Sequence, residues 1–175
     1  MPRQVALLRG INVGGKNKLP MKTLAAIFEE AGCTSVQTYI QSGNVIFDAP
    51  ARLDVAARVS RAIQSGLSLR VPVVVRTGAE LAAAVKAYPF ETEPAEAMAM
   101  MFLADRPSAS AVADLDPQRS PPDRFAVTGR EIHLNLPNGF ARTRLTNDYF
   151  DRKLATVSTA RNWRTVLKLL ELVGD

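Results

Sequence analysis

Val36-Gln-Thr-Tyr-Ile-Gln-Ser-Gly-Asn-Val-Ile-Phe-Asp48 commits this chain to antiparallel sheets. Two β-rich runs, Val36 to Ile40 and Val45 to Asp48, flank Gln41-Ser-Gly-Asn44, whose glycine and asparagine favour the positive φ angles of a tight reversal. The spacing predicts a hairpin. Upstream, Gln4 to Arg9 reads as a buried strand, and Leu24, Ile27, Phe28 and Ala31 keep the rhythm of a helix that Pro20 opens and Gly32 stops. Downstream, Leu53, Ala56, Val59, Ile63 and Leu67 predict a second helix, and Val71 to Val75 a further strand with Pro72 at its entry. The order is strand, helix, strand, strand, helix, strand. Thr77-Gly-Ala-Glu80 has capping-box spacing and predicts a third helix ending before Pro89.

The short acidic segment Phe90 to Glu96 is the expected boundary between a subdomain at 1–89 and another at 90–175. The second half repeats the order. Met98 to Leu103 is a strand, Ser110 to Leu115 a short helix, and Arg124 to Thr128 with Glu131 to Leu136 a hairpin around Gly129-Arg130. Thr146 is placed to cap a helix reaching about Leu154, an extended stretch follows near Val157, and Asn162 is placed to cap a last helix with an apolar stripe from Trp163 to Val173. The expected class is α+β: two ferredoxin-like subdomains, each a split β-α-β or alpha-beta plait with an antiparallel sheet. The halves share element order and no residue-level repeat.

A chain of 175 residues with 47% hydrophobic and 22% charged content can bury a sizeable core. No apolar run is long enough to cross a bilayer, and no signal-type segment follows Arg3, so a cytoplasmic location without membrane association is expected. The single cysteine, Cys33, cannot form an internal disulfide and reads as a small buried side chain. His133, the single histidine, sits between Ile132 and Leu134 in a strand and reads as structural, and no metal cluster can be assembled from spacing. No cofactor is expected. The carboxylates Glu29-Glu30 and Asp114 with Asp116 read as solvated faces, and Ser42 lies in a hairpin turn, unlike the strand-to-helix elbow of a serine hydrolase.

The excess charge of +5 is unevenly placed. Residues 1–22 hold Arg3, Arg9, Lys16, Lys18 and Lys22 with no acid, and residues 142–168 hold seven bases against two acids, while the rest is net acidic. Either the two blocks meet in one positive surface or they form two separate solvated faces. The first contains Gly10-Ile-Asn-Val-Gly-Gly-Lys-Asn-Lys18, a loop whose backbone N–H groups suit an anion. It nearly matches the phosphate-loop pattern, but Asn17 stands where the magnesium-binding hydroxyl belongs, Pro20 delays the helix, and the following hairpin is foreign to a parallel nucleotide-binding sheet. The second block contains Arg142-Thr-Arg144 and, at a predicted helix start, Arg161-Asn162, where guanidinium and free N–H groups suit phosphate. Low aromatic content and the absence of an aromatic-basic strand motif weigh against an RNA-recognition sheet.

Ala6-Leu-Leu-Arg-Gly-Ile-Asn-Val-Gly-Gly-Lys-Asn-Lys18, Thr38 to Phe47, Arg142-Thr-Arg-Leu-Thr146 and Thr159-Ala-Arg-Asn-Trp-Arg-Thr-Val-Leu-Lys-Leu169 together closely resemble the bacterial domain-of-unknown-function family sixteen ninety-seven. The resemblance runs nearly the whole chain in order. It implies paired ferredoxin-like subdomains and no activity. Thr143-Arg144 replaces the Ser-Lys expected from the family pattern, keeping hydroxyl and charge, and the proline-rich segment near Ser120 is peculiar to this chain.

The functional expectation is binding of a phosphate-bearing ligand, nucleic acid or nucleotide, through Arg9, Asn12, Gly14, Gly15, Lys16, Asn17, Lys18, Ser42, Asn44, Arg142, Arg144, Arg161 and Asn162. Two alternatives stand beside it: a small enzyme acting on an anionic metabolite, lacking an evident general base, and an oligomerising or partner-binding module using open sheet edges. Sequence leaves the oligomeric state open.

Overall fold

The computed structural model describes residues 1–40, 43–90 and 94–174. The chain forms two compact units, Met1–Ala82 with Leu169–Asp175, and Ala83–Lys168. Residues 83–89 thus group with the second unit and the end of the last helix with the first.

In the first unit the order is β1 (Arg3–Leu8), α1 (Met21–Glu30), β2 (Thr34–Tyr39), β3 (Asn44–Asp48), α2 (Val55–Leu67) and β4 (Val73–Thr77), followed by α3 (Gly78–Lys86). The strands lie in the order β2-β3-β1-β4, all neighbours antiparallel. That is the ferredoxin-like plait: each helix carries the chain across one intervening strand. Alternation places Ala6, Leu8, Val45, Phe47 and Val73 on one face, where they pack with Leu24 and Phe28 of α1 and Val55, Val59 and Ile63 of α2. Cys33 belongs to this core, and burial pushes its thiol up to about 11, so it is no nucleophile at neutral pH. The other face, with Val5, Leu7, Ile46, Val74 and Arg76, is buried too. Hence β1 reads as a continuous apolar run. β4 starts two residues later than its sequence suggests, because Pro72 has no N–H for the ladder and offers its carbonyl to the Arg9 N–H instead, at 3.1 Å.

The second unit holds β5 (Met98–Leu103), α4 (Ala109–Ala113), β6 (Arg124–Thr128), β7 (Glu131–Asn135), α5 (Asn147–Leu154) and β8 (Ser158–Asn162), with α6 (Trp163–Val173) beginning there. Its sheet order, β6-β7-β5-β8, is again antiparallel throughout. Ala99, Met101, Leu103, Ile132 and Leu134 pack against Tyr149, Phe150 and Leu154 of α5. The extended stretch expected near Val157 is a full strand, β8, with the polar sequence Ser-Thr-Ala-Arg-Asn. Its backbone pairs with β5 along its whole length, and Arg161 therefore lies within the sheet rather than in a helix start.

The register of the opening strand with its two neighbours, invisible as a repeat in the residues, is the same in the two sheets, while the β2–β3 pair carries a bulge that β6–β7 lacks. Val5 faces Ile46 on one side and Arg76 on the other; Met100 faces His133 and Arg161 in the same way. The helix after each fourth strand starts on a side-chain cap, Thr77 for α3 and Asn162 for α6, each accepting from the N–H three residues on. The predicted capping box at Thr77 is closed by its hydroxyl, 3.2 Å from the Glu80 carboxylate. No helix among the described residues is long and apolar enough to cross a membrane.

Candidate functional site

Thirteen residues were singled out by sequence, and the first unit gathers most of its share at one end of its sheet. The register sets the carboxyl end of β1 beside the amino end of β3, through Leu7 opposite Asn44, so the β1–α1 loop emerges next to the β2–β3 reversal. The Leu8 N–H donates to the Gly43 carbonyl at 2.9 Å. Gly43 has φ +93°, and a Cβ there would come within 2.9 Å of Leu8 Cβ and 3.1 Å of Ile11 Cδ1, so only glycine lets the reversal dock on the loop. Ser42 lies outside the described residues.

The loop itself is built rather than slack. Gly10, Asn12, Gly14, Gly15 and Asn17 all have positive φ, a chain of reversals in the conformation that glycine and asparagine tolerate best. Asn12 Nδ2–H donates to the Leu19 carbonyl at 2.9 Å, while the Leu19 N–H donates back to Asn12 Oδ1 at 2.8 Å, imitating one rung of a sheet. Asn17 Nδ2–H donates to the Gly10 carbonyl at 2.9 Å, the Asn12 N–H to the Asn17 carbonyl at 3.1 Å, and the Lys16 N–H to the Val13 carbonyl at 3.0 Å. The two asparagines therefore shape the loop with their amides. Asn44 does similar work: fully buried, it donates to the Tyr39 carbonyl at 3.1 Å and holds the hairpin.

What the loop presents outward is cationic. Lys16 and Lys18 are exposed, Lys22 is exposed in the first turn of α1, and Arg9 is half-buried. A cavity of about 280 Å³ lies here, lined by Asn12, Gly15, Lys18, Leu19, Pro20 and Met21. It adjoins the start of α1, whose boundary residue Pro20 makes no capping bond and whose first turn carries no acid. Among the described residues α2 to α6 each begin on a side-chain acceptor: Asp54, Thr77, Ser108, Thr146 and Asn162. The first N–H groups of α1, unlike theirs, have no side-chain oxygen in front of them.

In the second unit Arg142 and Arg144 are exposed on the loop between β7 and α5. That loop is pinned by the proline-rich segment around Ser120. The Arg144 N–H donates to Ser120 Oγ at 2.9 Å, Ser120 Oγ donates to Asp123 Oδ2 at 2.8 Å, and Arg119 Nε–H donates to the Arg144 carbonyl at 2.8 Å while its guanidinium lies 4.0 Å from the Tyr149 ring centre. Asn162 is an α6 cap, its Oδ1 accepting from the Thr165 N–H at 2.9 Å.

Arg161 does not present its guanidinium to solvent. Only 8% exposed, it donates to Thr159 Oγ1 at 2.8 Å and to the Ala160 carbonyl at 2.7 Å, and burial lowers its pKa to about 10. The sequence placed it at a helix start because β8 has no apolar alternation to mark it as a strand. His133 is fully buried, with Nε2 2.8 Å from the Ala84 carbonyl and the Tyr88 ring edge-on at 5.6 Å between centres. A carbonyl oxygen only accepts, so Nε2 carries the proton, and burial lowers the histidine pKa. Trp163 packs against Tyr88 with the rings tilted by 50° and their centres 4.8 Å apart. Among the described residues no group of three or more His, Cys, Asp or Glu side chains could hold a metal ion.

The family model described as Protein of unknown function (DUF1697) matches residues 1–133. No curated protein matches the chain. Among solved structures it is similar to one titled "The structure of conserved bacterial protein SP0830 from Streptococcus pneumoniae", with 19% identity, a TM-score of 0.76, and 98% of each chain covered. At that identity the likeness is one of fold.

Proposed function

The chain belongs to the family Protein of unknown function (DUF1697), and from that premise we propose that its first unit binds a phosphate-bearing ligand at the β1–α1 loop. One observation carries the reading: the start of α1, which has no side-chain cap, adjoins a cavity lined by Gly15 and Lys18, with the exposed Lys16 and Lys22 close by in the chain. Unsatisfied N–H groups at a helix start favour an anion, and the lysines strengthen that preference without an acid among residues 1–22 to oppose it. Asn12 and Asn17 act by holding the loop in shape.

Calorimetric titration with pyrophosphate tests the proposal. The native chain is expected to bind saturably, with affinity falling steeply as salt rises, and the Lys16→Glu/Lys18→Glu variant to bind at least about tenfold more weakly, two reversed charges at contact range. Equal affinity in the variant, or no saturable binding by the native chain at low salt, would overturn it.

A further inference from the structure

The cavity beside Lys18 has a mixed lining. Gly15 and Lys18 give it polar and cationic character, and Asn12, its amide closed onto Leu19, adds structure rather than a free hydrogen-bonding group. The remainder is apolar: the exposed Pro20 and the half-buried Met21, which packs against the core, with Leu19 fully buried behind them. Val13, on the same loop, leaves an aliphatic side chain 61% exposed.

Inorganic phosphate has no use for the apolar part of the lining. A bare anion site would be expected to ring its ligand with donors, whereas an apolar lining beside a cation suits a molecule with a charged end and an apolar or planar body. The volume, about 280 Å³, sits at the small end for ligand pockets and suits one molecule of mononucleotide size rather than a run of polymer. The loop also offers no aromatic side chain on which successive bases of a strand could stack. Lysine suits the charged end, since its compact ammonium serves a dianionic monoester as a point charge.

We infer that the β1–α1 cavity takes a small phosphomonoester with an apolar or planar body, its phosphate at Lys18 and Gly15 and its body against Pro20 and Met21. The inference rests on the phosphate reading above and narrows it to a monoester. Polynucleotides, diesters of continuous polar backbone, fit the cavity less well.

Calorimetry on the full chain separates the two claims, using adenosine monophosphate as the probe, glycerol phosphate as a monoester with a polar body, and a single-stranded oligonucleotide. Adenosine monophosphate is expected to bind roughly tenfold more tightly than glycerol phosphate, the yield of covering a modest apolar lining. Met21→Ser is expected to erase that advantage, and Met21→Leu to keep it, with thermal melts confirming that both variants fold. If both monoesters bind equally in a manner abolished by Lys18→Glu, the apolar-body inference fails and the phosphate reading survives. An oligonucleotide that binds more tightly than the mononucleotide at 150 mM salt also overturns the inference. If none of the three shows Lys18-dependent binding, the phosphate reading itself fails.

Discussion

Arg76 and Arg161 hold the same station in two different sheets: each is the fourth residue of the strand that closes its plait, and each lies opposite the third residue of the opening strand, Val5 or Met100. Both are buried. A guanidinium so placed must have its N–H groups met by acceptors, and Arg161 finds two on its own strand, Thr159 Oγ1 and the Ala160 carbonyl. Equal stations in equal registers are a repeat of geometry that residue identity does not reveal.

The long stem of such an arginine fills volume as well as carrying charge. Arg161→Ala is expected to lower stability in urea unfolding by about 2–4 kcal/mol, from the cavity it opens and the acceptors it strands. Arg161→Met keeps the stem and removes the buried charge, and should cost at least about 1 kcal/mol less. Equal losses in the two variants would contradict the packing role.

His133 gives a pH signature. Burial is the chief cause of its lowered pKa, opposed by the Ala84 hydrogen bond and the nearby Glu131 charge, so the folded chain holds the neutral ring below the ordinary value of 6.5. With the folded pKa below the unfolded one, the unfolded chain binds more protons beneath pH 6.5. Stability is therefore complete above 6.5 and is lost as pH falls below it. Urea midpoints measured between pH 7.5 and 5 should show this decline, and His133→Gln should flatten it. A variant with the native slope would assign the decline to carboxylates.

The reversal at Gly43 and the Asn12–Leu19 rung predict a loop that is stiff before any ligand arrives. Gly43→Ala meets both an unfavourable φ and contacts of 2.9 Å and 3.1 Å with Leu8 and Ile11, and is expected to cost about 2 kcal/mol or more. Asn12→Ala loses both bonds to Leu19 and the residue's tolerance for φ +55°, with a similar cost, about 1–3 kcal/mol. Both variants should weaken pyrophosphate binding though neither side chain is placed on the ligand. Unchanged affinity in both would mean that loop shape is irrelevant to binding.

Much of the fold was legible because its signals are local. Met98 to Leu103, the Arg124 to Thr128 strand and the Thr146 cap stand in the structure where hydrophobic runs and capping chemistry put them. β8 was not legible: Ser-Thr-Ala-Arg-Asn has no alternation, and its strand character comes from pairing with β5, far away in the chain. The same long-range pairing buries Arg161, which from its neighbours alone reads as a surface contact. Asn12, Asn17 and Asn44, read from sequence as ligand contacts, have amides that bond to backbone groups, since only three-dimensional closure shows which carbonyls come within reach. The uncapped start of α1 was half-visible, as Pro20 without a preceding Ser, Thr, Asp or Asn; the cavity beside it was not visible at all.

Amide chemical shifts recorded during titration with inorganic phosphate probe the proposed site residue by residue. Binding at the β1–α1 loop predicts saturating shifts concentrated at Gly14, Gly15, Lys18, Met21 and Lys22, abolished in Lys16→Glu/Lys18→Glu. Shifts that leave those amides unmoved, or that survive in the variant, would contradict it.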